Sequence, residues 1–322
     1  MFLFNLPSIP SLLPTYLLDS LFRAFTSACF VSMLNYIVRM QAIVQSHSQH
    51  QLQRNHDSDE KMTSKSSWKQ LSDFADVAVL TVVLTFISHR VAALLVMESS
   101  AHGLIRLISS PMSACECFAS VKFALGCSML TTLKYLYEES IHTTLNMAIS
   151  SHLASLMLMK LKQWHAHIDL LYALHSDQKY CGLCALFHNN WQNVPSFMNA
   201  VMKRILGFGT YTSIMLINQD FTSTSNSLRF WLLLIICYGL LTMQKHGDEP
   251  SSHSSGRNVF GMRMIALFVI TLTVGNWEDI LHIPLVFLGE MWYILYSNES
   301  ATTCENTLET NNVQSEDLQS RR

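Results

Sequence analysis

The chain has 322 residues, 14% of them charged and 49% hydrophobic, with a mean hydropathy of +0.22. Typical soluble domains carry roughly 25% charged residues, and a chain of this size in water must cover its surface with polar groups, which sets a soluble helical bundle aside. A net charge of -2 and a pI near 6.7 provide no clustered basic face, which sets nucleic acid aside as a partner.

A membrane span takes about 20 mostly apolar residues. The N-terminal stretch MFLFNLPSIPSLLP has no basic start and carries prolines, so it does not read as a cleavable signal, and the first apolar segment must direct insertion. That segment is 24–38, extended backward through Leu17, Leu18 and Leu21. Next come 77–89, followed by Arg90 and VAALLVM, and then 123–133 between Lys122 and Lys134. Residues 140–159 form the cleanest span, followed by 205–219, 230–244, 264–277 and 280–296, the last interrupted by Glu290. Several reach full length only with a flanking Lys or Arg whose stem can snorkel to the interface. The expected fold is all-α, a polytopic transmembrane helical bundle of about eight spans (six to eight).

The expected organisation is an N-terminal segment with the first span (1–44), a polar loop (45–70), spans two to four (71–159), an amphipathic interfacial segment (160–204), spans five to eight (205–296) and an acidic tail expected to be disordered (297–322). Residues 245–258 read as a further loop, and Pro195 breaks the interfacial segment. Lys and Arg in short loops favour the cytosolic side. With eight spans, Lys160, Lys162, Lys179, Lys203 and Arg204 share a side with Lys245, Arg257, Arg263 and both termini, which predicts cytosolic termini. The acidic hairpins at Glu138–Glu139 and Glu278–Asp279 fall opposite. The loop 39–73, with Arg39, Arg54, Lys61, Lys65 and Lys69, then lies on the wrong side. Either an early span is miscounted or the acids of that loop offset its basic residues.

The stretches SHRVAALLVME (88–98), LHSDQKYCGLC (174–184), INQDFTSTSNSLRFW (217–231) and LTVGNWEDIL (272–281) resemble the vertebrate transmembrane protein 82 family. The resemblance runs from the proline-rich start to the last span and leaves the 45–70 loop and the tail as this chain's own. It implies a vertebrate multi-pass membrane protein and supplies no catalytic residue.

Three groups of residues could carry chemistry. His165, His167, His175, Cys181 and Cys184, with His188 nearby, offer imidazole and thiol ligands of the kind that hold zinc or copper, and the C-x-x-C spacing lets two sulfurs reach one ion. The bland reading is an interfacial helix with water-facing histidines and two inert cysteines. The same CGLC resembles a thioredoxin-type redox pair, although no βαβ pattern surrounds it, and acylation of either cysteine is a further alternative. The 8 cysteines are scattered through a long chain, which argues against a disulfide framework. Cys29, Cys127, Cys184 and Cys237 lie in or beside apolar runs, where thiols act as small hydrophobes.

The second group is charge within or beside spans: Asp19, Arg23, Asp76, Arg90, Lys122, Asp220, Arg229 and Glu290. Ionisable groups at membrane depth are costly and so suggest function. Glu290 could bind a cation or relay a proton with Arg90 or Lys122 as partner. The alternatives are a structural ion pair or a helix end. Asp220 and Arg229 read as membrane boundaries. The third group is Thr143, Thr144, Asn146, Ser150, Ser151 and His152, which could line a solute path but more simply glue helices together. Asn298-Glu299-Ser300 matches a glycosylation sequon by chance, too close to the last span for modification.

No phosphate loop, G-x-S-x-G or H-E-x-x-H motif occurs, so neither an enzyme nor a cofactor is expected. The expected function is transport or channel activity for a small solute or ion, with a non-catalytic scaffold as the alternative. The lipid bilayer is the expected partner. A protein partner or homo-oligomer stays open.

Overall fold

The computed structural model describes residues 15–53, 66–109, 114–138, 141–178, 181–190, 192–221, 224–247, 265–266, 268–270 and 281–291. The helices are α1 (Thr15–Gln53), α2 (Ser66–Phe86), α3 (His89–Ser109), α4 (Ala114–Tyr137), α5 (Thr143–Gln178), α6 (Gly182–Asn190), α7 (Val194–Gln219) and α8 (Thr224–Gly247). A shorter apolar helix, α9, covers Leu281–Met291. The described residues are almost entirely helical and contain no strand. The tail 297–322, most of 245–258 and most of 264–280 lie outside the described residues.

Three helix boundaries depart from expectation. The polar loop is shorter than 45–70, because α1 continues to Gln53 and α2 begins at Ser66. The amphipathic stretch after Met159 is not a separate element. It continues α5 to Gln178, since 160–178 contains no glycine or proline to stop propagation. The apolar run 77–97 is broken, and the segments Phe74–Phe86 and His89–Ser100 meet at 114°. Ion pairing fixes this break: Arg90 Nε lies 2.7 Å from Asp220 Oδ2, just past the end of α7. The Ser20 hydroxyl donates to the Thr85 carbonyl at 3.0 Å, satisfying one of the last-turn acceptors of α2. Pro195 does mark a boundary, standing in the first turn of α7, where its missing N–H costs nothing.

Contacts between named residues give the helix directions. Ser20 meets Thr85, while Val31 and Leu80 both border Gly126, so α1 and α2 are antiparallel. Arg90 meets Asp220 and Ser100 meets Thr210, so α3 runs against α7. Ser128 meets Ile205, and Thr131 meets Ser213, so α4 runs with α7. The Tyr137 carbonyl accepts from the Thr143 hydroxyl across the α4–α5 turn. Tyr36 packs on His165, and Met40 and Val44 cluster with Ile168 and Tyr172, so α5 runs parallel to α1. Trp231 donates to Asn218, which closes an α7–α8 hairpin. The long helices therefore alternate in direction along the chain.

The α4–α7 contact is made by small polar residues. Ser128 donates to the Ile205 carbonyl at 2.8 Å, and the Thr132 and Thr212 hydroxyls lie 3.4 Å apart. Gly209 completes the seam: a Cβ there would overlap the side chain of Ser128 and press on its backbone. Small residues let helix backbones approach closely, which drives association where lipid provides no hydrophobic force. The outer faces are apolar instead. Leu145, Ile149, Leu153 and Leu156 on α5, spaced three or four residues apart, are 41–59% exposed, and Leu228, Leu232 and Ile235 form a matching stripe on α8 at 63–66%. In water such stripes would be a liability.

By length and composition, one described helix can cross a bilayer, Tyr16–Gln45 within α1; counting the bent α2–α3 pair as one span gives two. The eight expected spans are not reached by that measure among the described residues, and most of 264–277 and part of 280–296 lie outside them. We expect Gly209→Ala to lower the detergent melting temperature, at a cost of about 1–3 kcal/mol. Adding Ser128→Gly should recover part of that loss in the same melt. No destabilisation in the single variant would mean that the seam is looser than its geometry.

Candidate functional site

The second half of α5 and the start of α6 bring together three of the five metal-ligand candidates. His167 Nε2 lies 3.3 Å from Cys181 Sγ. With Cys184 Sγ, these ligand atoms all lie within 4.8 Å of one another. Cys181 precedes α6 and Cys184 occupies its first turn, so the C-x-x-C spacing wraps both sulfurs onto one side of that turn. Cys184 is 1% exposed and packs with Met40, Val44, Ile168 and Tyr172 at the far end of α1. His165 is drawn elsewhere, with its ring edge-on to Tyr36 at 5.2 Å. His175 and His188 lie in α5 and α6, but their side chains are outside the described residues.

The two thiols are electrostatically unequal. Cys181 is held below the ordinary thiol range, first by the backbone N–H of Cys184 and then by that of Leu183, both at the start of α6. Burial pushes Cys184 up to about 11, and the neighbouring Cys181 sulfur adds to this. Since the thiolate is the nucleophile, a chelator-treated, reduced sample should alkylate at Cys181 well before Cys184 at neutral pH. The Cys181 rate should rise and level off at lower pH, while Cys184 stays slow until the pH nears its own value. Peptide mass spectrometry reads both, and equal rates would contradict the asymmetry.

The charged candidates sort into two groups. Arg90 is occupied at the α2–α3 break by Asp220. Arg23 donates to the Asp19 carbonyl, and Lys134 pairs with Glu138 at 3.3 Å. These charges gather where α1 starts and α2, α4 and α7 end, which fits the boundary reading of Asp220. Arg229 is an exposed residue of α8.

The second group is deeper. Lys122 Nζ lies 3.8 Å from Asp76 Oδ2, with side-chain exposures of 9% and 8%. Asp76 stands about ten residues below the α2–α3 break, roughly 15 Å along the helix. Glu98, 1% exposed, lies about eight residues into α3, roughly 12 Å from Arg90. Glu290 is half-buried on α9, beside Gly289, where a Cβ would come within 2.8 Å of Val83 and 2.9 Å of Phe123. Reading the sequence singled out Asp76 and Lys122 but missed Glu98, which the following Ser99 and Ser100 disguise as the end of a span.

Of the small polar residues on α5, Thr143 and Ser150 bond to Tyr137 of α4 and so glue helices. Ser151 and His152 line an open crevice of about 440 Å³ with Phe22, Phe25 and Thr81.

No solved structure matches this chain. Its sequence does match the family profile described as Transmembrane protein 82 over residues 18–315. That span covers the break, the deep charges and the His–Cys triad alike, and it is most of the 322 residues. The chain belongs to the transmembrane protein 82 family, a family of transmembrane proteins.

Proposed function

We propose that this chain crosses its membrane several times and moves a small ion or solute. The observation that carries the reading is the Asp76–Lys122 pair, both side chains at least nine-tenths buried within the helix bundle. Removing two charges from water is expensive, and a hydrophobic pair of similar size would often be as stable. Charges kept at such depth mark ion or proton pathways in membrane proteins. Buried Glu98 and half-buried Glu290 add carboxylates.

The alternating helix directions also bear on orientation. Whether α2 and α3 each cross or dip in together, the chain returns to the side it left. The loop with Arg54, Lys61 and Lys65 then shares a side with Lys160, Lys162, Lys179 and with Lys245, Arg257 and Arg263. The earlier conflict disappears, and the positive-inside rule assigns this side to the cytosol. We therefore infer a non-cytosolic N-terminus, in place of the cytosolic one that eight spans require. With 264–277 and 280–296 crossing as a pair, the C-terminus remains cytosolic. A glycosylation acceptor fused to the N-terminus should be modified in cells, and one fused to the C-terminus should not. The reverse pattern would refute the orientation.

For transport, the test is ion flux into liposomes holding purified protein. Lys122→Met alone should cost about 3–5 kcal/mol by stranding a buried carboxylate. The double variant Asp76→Leu with Lys122→Met should regain stability in a thermal melt yet lose the flux. A folded double variant with wild-type flux would make the pair structural. Normal flux in Glu290→Gln would remove that residue from the pathway.

The scaffold alternative draws on the close-packed α4–α7 seam, which leaves little room for movement. It predicts a stable protein partner in mild-detergent pull-downs.

A further inference from the structure

We infer that His167, Cys181 and Cys184 form a zinc site that clamps the second half of α5 to the start of α6 at the cytosolic end of the bundle. The inference stands on the ligand set and its geometry, independently of transport. Tetrahedral zinc, with metal–sulfur bonds of about 2.3 Å and metal–nitrogen bonds of about 2.0–2.1 Å, separates two sulfurs by roughly 3.8 Å and sulfur from nitrogen by roughly 3.6 Å. His167 and Cys181 are 3.3 Å apart, and no ligand atom is more than 4.8 Å from another. The three groups therefore reach zinc distances with side-chain adjustments of about 1 Å.

The surroundings favour a built site over a chance meeting. The ligands come from two elements, α5 and the segment opening α6. Cys184 is 1% exposed and seated on Met40 and Val44 of α1, which holds one sulfur in place. Cys181 and His167 are partly exposed and face outward from the same cluster, so an ion can enter from water. Two thiolates and an imidazole are borderline-soft donors that suit zinc and Cu(I) and reject magnesium and calcium. Three protein ligands leave a fourth position for water or another donor.

A CGLC pair could instead form a disulfide. The inferred orientation places it in the cytosol, where thiols are kept reduced. Closure would also remove both sulfurs from His167 as metal ligands.

The test uses the full chain in mild detergent, reduced, loaded with zinc and passed through a weak chelator. We expect about one zinc ion per chain by elemental analysis, the complement of one Cys₂His site. Cobalt in its place should show sulfur-to-metal charge-transfer absorption. Zinc should fall to background in Cys181→Ser with Cys184→Ser, and in His167→Gln, while helicity by circular dichroism is unchanged. Should the variants misfold, the wild type answers alone: zinc must slow alkylation of Cys181 and Cys184 and leave that of Cys237 unaltered. A chain that retains no zinc would overturn the assignment. So would variants that keep the metal, or a Cys181–Cys184 disulfide persisting in glutathione buffer.

Discussion

The arrangement of the bundle rests on the break between α2 and α3. A single uninterrupted helix over 77–97 would carry the chain to the opposite side, and every later helix would reverse. The break is held by Arg90 against Asp220, 130 positions further along the chain, rather than by a proline or glycine, so a long-range ion pair fixes what local propensity would not. Its exposure of about a quarter on each side keeps the desolvation penalty moderate, and the partner already ends α7. Once α3 turns back, it presents an almost wholly buried face, Val91 through Met97, to α4 and α7, and the Tyr238 hydroxyl reaches its Leu94 carbonyl at 2.8 Å.

The interior and the surface then divide the chemistry in an unusual way. Along the α4–α7 seam the closest contacts are made by Ser, Thr and Gly, at Ser128, Thr132, Gly209 and Thr212, beside a core of buried aliphatic residues, while large aliphatic side chains on α5 and α8 also point outward. This follows from the solvent. With lipid as apolar as leucine, burying leucine between helices gains little, whereas close backbone approach and interhelical hydroxyl bonds gain contact energy. The Asp76–Lys122 pair, between α2 and α4, differs in kind, because it buries two charges at a desolvation cost, and charge at such depth suggests a use.

Sequence reading recovered the helical class and the family, and it named three residues, His167, Cys181 and Cys184, that the fold brings together, each for a different reason. Apolar runs such as 24–38 and 140–159 carry their own signal. The C-x-x-C spacing is also local, and only the position of His167 had to come from the fold. Of its neighbours, His165 reads identically in sequence, yet Tyr36 draws it away, a contact between residues far apart in the chain. The broken run 77–97 was illegible because its cause, Asp220, lies on another helix. Glu98 was hidden for the opposite reason: its local neighbours look polar, and only the packed bundle buries it.

Orientation and site chemistry constrain each other. In the proposed orientation, the basic segments 54–65, 160–179 and 245–263 share a side because the α2–α3 break adds a reversal of direction. That side also holds the second half of α5, and with it the two cysteines. A C-x-x-C pair in an oxidising compartment tends toward a disulfide, whereas the same pair in the cytosol offers two thiols to a metal. Binding at neutral pH requires both thiols to lose protons, and zinc supplies the charge that displaces them even from a buried thiol such as Cys184. On the proposed orientation, the helix break near one face thus decides which chemistry is open to a cluster at the other.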